Sequence, residues 1–154
     1  MRAMEEMRQI VALELDGQPY GFPVQDVREI LQMLEIRTIP DAPSHVRGAI
    51  NVRGKVVPVL DLRMVLGLPS AGYGLSTPIV VIEPSGRPVG VVVDDVTDVI
   101  TIDEECFEPP GDSYPISQYL KAVCKLEEGM LLLFDAEKLL GGGLLPEGPE
   151  SSEE

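Results

Sequence analysis

The sequence predicts a mainly β protein built from two similar small barrels, and three observations lead there. The chain matches itself: IVALELDGQPYGFPVQDVREIL from Ile10 aligns without gaps with IVVIEPSGRPVGVVVDDVTDVI from Ile79, and nine of 22 positions are identical. Further on, HVRGAINVRGKVVPVLDLRMVLG from His45 runs parallel to YLKAVCKLEEGMLLLFDAEKLLG from Tyr119 in its apolar positions. That second pair shares Asp61/Asp135, Leu66/Leu140 and Gly67/Gly141. Finally, 44% of the chain is hydrophobic but only 5% aromatic, with no Trp. A core of Val, Ile and Leu favours strands over helices.

Each half reads as a β-rich unit of about 60–70 residues, too small to be more than marginal alone, so the two units are expected to share a core interface. The first two strands of each form a hairpin, turning at Asp16-Gly17 and, in the copy, at Ser85-Gly86. VQDVREILQML follows, with Val27, Ile30, Leu31 and Leu34 at helical spacing, which predicts a short helix. Its copy, VDDVTDVI, is richer in β-branched residues and could be a strand. The next hairpin turns at Arg53-Gly54, where glycine supplies positive φ. Pro58 cannot donate to a ladder, which predicts an edge strand or a bulge. Asp61 and Asp135 are placed as helix N-caps, with Gly67 and Gly141 closing those helices. Residues 70–78 form the connector. The tail GGLLPEGPESSEE lacks periodicity and carries four glutamates, so residues 142–154 are predicted to be a disordered acidic tail.

Charge narrows the partners. The net charge is −14: residues 1–70 hold 8 Lys/Arg against 9 Asp/Glu, residues 71–154 hold 4 against 17. The second half repels phosphate, which argues against nucleic acid. It also disfavours self-contact of that half, so a monomer in isolation is predicted. No segment approaches the roughly 20 apolar residues that span a bilayer, and the glutamate-bearing start does not read as a signal peptide. Cys106 and Cys124 are too few for a disulfide framework or a zinc site and read as thiols of a reducing cytoplasm.

Catalytic signals are sparse. His45 stands alone in a loop, and no Ser or Cys sits in a nucleophile-elbow pattern. DDVTDVITIDEE, residues 94–105, lacks the spacing and central glycine of a calcium loop, and GYGLST, residues 72–77, lacks the third glycine of a dinucleotide loop. No metal, cofactor or enzymatic activity is predicted. The duplication points instead to binding. Glu29 and Arg53 align with Asp98 and Glu127, so one copy has a carboxylate and a guanidinium where the other has two acids. A barrel of this pattern does not require the combination, which marks Arg53 as a side chain that the turn presents.

The stretch GAINVRGKVVPVLDLR, residues 48–63, resembles the signature of the CheW family of chemotaxis coupling proteins. Its pattern Gly-x-x-Asn-x-Arg-Gly, then a valine-rich strand with proline, then Asp-Leu-Arg, falls on Gly48, Asn51, Arg53 and Gly54 and ends at Asp61-Leu62-Arg63. YGFPVQDVREIL, RPVGVVVDDVTDV and MLLLFDAEKLL are similar to further segments of that family. The resemblance covers residues 9–140 and implies two tandem SH3-like five-stranded barrels, about 9–70 and 78–140, with a few short helices. It implies a non-catalytic cytoplasmic adaptor that joins methyl-accepting chemoreceptors to the regulatory domain of the histidine kinase CheA. It further implies that Arg53 pairs with Glu29 of the early helix and that receptor tips lie in the groove between the barrels, near Val27, Gly48, Gly54 and Val96. The alternatives are a coupler of a pilus-type or other chemosensory array, or a small-ligand sensor or hydrolase using the inter-barrel cleft.

Overall fold

A computed structural model describes residues 6–69 and 71–141. The predicted disordered tail, 142–154, lies outside the described residues. Strands dominate. The N-terminal hairpin, β1 (Met7–Leu15) and β2 (Gln18–Pro23), leads through a 3-10 turn at Val24–Asp26 to β3 (Val27–Gln32), β4 (Val46–Val52) and β5 (Lys55–Asp61). After α1 (Leu62–Val65) come β6 (Pro78–Ile82), β7 (Val89–Val92), β8 (Asp95–Asp103) and β9 (Phe107–Glu108). The chain then forms β10 (Leu120–Leu126), β11 (Gly129–Phe134) and α2 (Ala136–Gly141).

The sheets cross the sequence repeat. One has the order β3-β6-β7-β5-β4, the other β8-β1-β2-β11-β10-β9. Thus each half donates its first hairpin to the sheet of the other half. The boundaries 9–70 and 78–140 describe the repeat, whereas the five-stranded sheet is drawn from 27–92 and the six-stranded sheet from 7–23 together with 95–134. The cause lies at the end of β2. Pro23 holds φ −55° and ψ 141°, and a three-residue 3-10 turn follows it. Such a turn does not reverse the chain as a hairpin does, so β3 leaves β2 behind and pairs with β6.

Each sheet curls until its ends meet, forming a small barrel. In the five-stranded barrel, Arg37, just beyond β3, bridges to Ala49 of β4 with two 2.9 Å backbone hydrogen bonds. In the six-stranded barrel, β9 follows β8 through a 3-10 turn at Glu104–Cys106 and pairs with β10. The two barrels match closely. A bulge interrupts β3/β6 between Val27 and Glu29, and its counterpart interrupts β8/β1 where Val96 and Asp98 stand.

The predicted helix over VQDVREILQML is absent. Val27–Gln32 is a strand in which Val27, Glu29 and Leu31 face inward, while Ile30 is 45% and Leu34 38% exposed. The helical spacing was supplied by two residues that face water, and a short apolar run cannot separate the two periods. Pro58 meets the second of its two expectations: β5 lies between β4 and β7 rather than at an edge, but a bulge interrupts β4/β5 between Val46 and Gly48, one step from the Ala49–Pro58 pair. The parallel ladder of β5 to β7 begins at Val59, one residue past the missing N–H. The turns match expectation. Asp16-Gly17 (φ 53° and 80°) and Arg53-Gly54 (φ 51° and 88°) both adopt the left-handed pair of a tight hairpin.

Ile10, Ala12, Cys124, Leu131 and Leu133 fill the six-stranded barrel, and Ile50, Val57, Val59, Ile79 and Val81 fill the five-stranded one. The largest cluster lies between them, with Leu13, Phe22, Leu60, Val80, Val91, Phe134 and Leu139. Phe134 stacks on Tyr20 and Phe22, with ring centroids 5.2 and 5.1 Å away. The barrels therefore share a core, as their size requires. Among the described residues, no helix is long and apolar enough to cross a membrane.

Candidate functional site

The residues singled out by sequence separate into three places. The first is the β4–β5 turn. Asn51 Oδ1 accepts a 2.8 Å hydrogen bond from the Gly54 N–H, so the side chain three positions earlier closes the turn. Arg53 and Gly54 then take the two left-handed positions. Few non-glycine residues do so, and here the conformation turns the Arg53 side chain back across the barrel to Glu29 on β3.

That ion pair joins the two ends of one sheet. β3 and β4 are the outermost strands of the five-stranded order, so Glu29 and Arg53 add a side-chain link to the seam that Arg37 and Ala49 close through the backbone. Glu29 is 23% exposed and Arg53 67%. The guanidinium is held at one edge and remains open to solvent elsewhere. Its hydrogen bond to Glu29, then the carboxylate's charge, push its pKa up further. Arg28, Arg53 and Lys55 surround the adjoining pocket of about 200 Å³. Arg28 is itself paired with Glu83. The mouth of this barrel thus gathers cations in a chain of net charge −14.

Gly48 occupies the second place, inside the seam. At φ 143° it sits where a Cβ would lie 2.1 Å from the Arg37 carbonyl oxygen. Only glycine lets the two backbones approach closely enough to bridge, so the first glycine of the motif serves closure of the barrel. Val27 and Val96 form the third place. They are counterparts in the repeat, each half-buried against the inter-barrel core and each within the first two residues of the strand that follows a passage between sheets. Neither lines the pocket beside Arg53, whose walls come from the five-stranded barrel alone. The arginine is presented at the mouth of one barrel, beside a pocket that neither Val27 nor Val96 lines.

The motif's last part, Asp61-Leu62-Arg63, also acquires roles here. Asp61 is 3% exposed; its Oδ1 accepts from the N–H groups of Arg63 and Met64, capping α1. Its Oδ2 accepts from the Tyr73 hydroxyl at 2.5 Å. Burial, then this bond, push the Tyr73 pKa well up. Leu62 is fully buried in the central core.

Comparison with known proteins fits this geometry. The model of the CheW-like domain matches residues 9–142. The chain belongs to the CheW family. It is 33% identical over 135 residues to the chemotaxis protein CheW of Klebsiella aerogenes, covering 86% of this chain and 81% of that one. It is 31% identical to the CheW of Bacillus subtilis, covering 85% of each. The crystal structure of the scaffolding protein TtCheW from Thermoanaerobacter tengcongensis superposes with a TM-score of 0.79 at 32% identity, over 83% of this chain and 88% of that one. Membership makes the chain a chemotaxis scaffold of two SH3-like barrels. The family signature thereby gains a local physical account: a glycine for the seam, an asparagine for the turn, an arginine at the mouth and an aspartate for the helix cap.

Proposed function

We propose that this protein is a non-catalytic cytoplasmic adaptor that couples methyl-accepting chemoreceptors to the regulatory domain of the histidine kinase CheA. The observation that carries the reading is the Glu29–Arg53 pair. It is ordered by a turn that Asn51 fixes, it leaves the guanidinium open to solvent, and the repeat replaces it with Asp98 and Glu127. A side chain held in place yet left exposed, on one barrel of two, suits recognition better than maintenance of a shared fold. Val27, Gly48, Asn51, Gly54 and Val96 complete the proposed coupling surface. Arg53 and Glu29 make the contact, Asn51 and Gly54 hold the turn, Gly48 holds the seam, and the two valines flank the groove offered to a receptor tip.

Asp98 accepts from the Val99 N–H and Asp103 from the Glu105 N–H, so these carboxylates serve local backbone rather than converging on one point. We further propose that the isolated protein is monomeric and assembles when kinase is added, because residues 71–154 carry −13 against −1 for residues 1–70. The test is retention of purified kinase regulatory domain and receptor signalling fragment on the immobilised protein. Both should be retained by the wild type and retained more weakly by Arg53→Ala. Retention of neither partner by the wild type would overturn the reading, and a stable dimer in sedimentation at micromolar concentration would overturn the monomer.

A further inference from the structure

The two barrels meet through an apolar core, and apolar contact is non-directional. Packing of the shared core holds the barrels together, and a directional polar tie across the joint would narrow how one is turned against the other. The chain passes between the sheets twice among the described residues: at Val24–Asp26, between β2 and β3, and at Val93–Asp94, between β7 and β8. The second passage is tied down on every side. Asp94 Oδ1 accepts from Arg63 Nε and Oδ2 from Arg63 Nη2, both at 2.7 Å, the two-pronged geometry that suits guanidinium and carboxylate. Asp94 Oδ2 also accepts from the Asp16 N–H at 2.8 Å, and the Asp94 N–H donates to the Glu14 carbonyl at 3.1 Å. Asp16 and Glu14 belong to the hairpin of the six-stranded barrel. Arg63, at the first turn of α1, belongs to the five-stranded one.

Arg63 is in turn held. Its Nη1 donates to the Pro69 carbonyl at 2.7 Å, and its backbone N–H donates to Asp61. The side chain is 17% exposed and Asp94 29%, so the pair is partly shielded from solvent. The repeat shows that this tie is not a requirement of the barrel. Glu137 occupies the place of Arg63 and Gln25 the place of Asp94, residues that cannot form an ion pair. Beside the first passage, Asp26 instead lies within electrostatic reach of two further acids, Asp135 and Glu137, opposed by Lys121. The Asp26 carbonyl takes the Glu83 N–H at 3.2 Å, a backbone tie with no such two-pronged ion pair within reach among the described residues.

We propose that Arg63 is a positioning residue: by clamping Asp94 against the Asp16 turn it sets the angle between the barrels, and with it the width of the groove between Val27 and Val96. The consequence for partners rests on the coupling function proposed above, while the clamp itself is a property of the isolated protein.

Residual dipolar couplings of the isotope-labelled protein read the clamp without any partner. In the wild type one alignment tensor should fit both barrels. In Arg63→Gln each barrel should still fit a tensor of its own, but no common tensor should serve both. Arg28→Gln, which removes an ion pair inside one barrel, should retain the common tensor. A common tensor in Arg63→Gln overturns the proposal. If that variant does not fold, Asp94→Asn, which keeps an acceptor for the Asp16 N–H, carries the same test and the same overturning result. The second readout is affinity for the kinase regulatory domain. If the productive angle is then populated about a tenth of the time, Arg63→Gln should bind about tenfold more weakly, with partial recovery in Arg63→Lys. Affinity unchanged alongside split tensors would overturn the link to the groove. Failure of the wild type to bind would remove the coupling function and leave the tensor result standing.

Discussion

Asp61 and Asp135 occupy the same place in the two barrels. The backbone N–H of each donates at 2.9 Å to the carbonyl just before an equivalent strand, that of His45 or Tyr119, and the carboxylate of each caps the helix that follows. Asp61 is the more deeply buried, and it also takes the Tyr73 hydroxyl of the connector. Asp135→Ala should therefore cost about 1 kcal/mol, the loss of a cap. Asp61→Ala should cost more, because it also strands a partly buried hydroxyl, adding about 1–3 kcal/mol. Urea unfolding of the two variants checks the order, and equal losses would contradict it.

The two motif glycines should respond differently to alanine. Gly48→Ala places a methyl group 2.1 Å from the Arg37 oxygen and opens the seam; a loss beyond about 3 kcal/mol is expected, in the range of severe backbone lesions. Gly54→Ala meets no atom within 4 Å and bears only the strain of φ 88°, about 1–2 kcal/mol. Calorimetric melting of both variants tests the contrast.

Arg53→Ala should leave both barrels folded, since the backbone bridge between Arg37 and Ala49 still closes the seam. Partner retention should fall. Melting and pull-down of the same preparation decide the matter. A large drop in melting temperature with unchanged binding per folded molecule would make the pair structural.

Two carboxyls should give opposite pH responses. The Arg63 fork holds Asp94 below the ordinary carboxylate range despite partial burial. Burial holds Asp26 above it, with Lys121 opposing and Asp135 and Glu137 adding. A depressed carboxyl stabilises the fold above its unfolded pKa, and that contribution is lost as pH falls through the folded value. A raised carboxyl weakens the fold at neutral pH and is relieved as pH falls through its raised value. Asp94→Asn should therefore lower the melting temperature at pH 7, and Asp26→Asn should raise it. The Asp94 difference should shrink below about pH 4, as pH falls toward its depressed value, whereas the Asp26 difference should already shrink above about pH 4, as pH falls through its raised value. Melts across a pH series provide the measurement.

The thiols should be distinguishable by alkylation. Burial, and then the neighbouring Cys106, push the Cys124 thiol up to about 11. Cys124 is fully buried and Cys106 half-buried. Iodoacetamide at about pH 7.5 should label Cys106 in the folded protein and reach Cys124 only on unfolding, which mass spectrometry of digests resolves.

Local features were legible in the sequence. Asp16-Gly17 and Arg53-Gly54 announced turns because their chemistry suits positive φ, and Asp61 and Asp135 announced caps because a short carboxylate can reach the first helical N–H groups. β3 was misread for a reason tied to the site. Glu29 faces inward to meet Arg53, breaking the apolar alternation that would have marked a strand, while exposed Ile30 and Leu34 imitate a helix. The placement of the residues proposed for coupling was legible only in part. Arg53 and Glu29 do meet, but nothing local shows that their pocket belongs to one barrel. Arg63 drew no attention as a clamp, since its partner is set by a crossing of sheets that no short motif encodes.

The exchange of hairpins also dictates an order of events during synthesis. The strands of the five-stranded barrel are complete once β7 has been made, whereas β1 and β2 must wait for β8 and β11. Until β8 leaves the ribosome the N-terminal hairpin exposes both of its edges, and its β2 edge stays open until β11 follows. Pairings so distant along the chain are slow to form and prone to misassembly meanwhile. A nascent chain arrested between β7 and β8 should therefore hold one finished barrel beside a hairpin without a sheet, and that hairpin is the segment a chaperone would be recruited to cover.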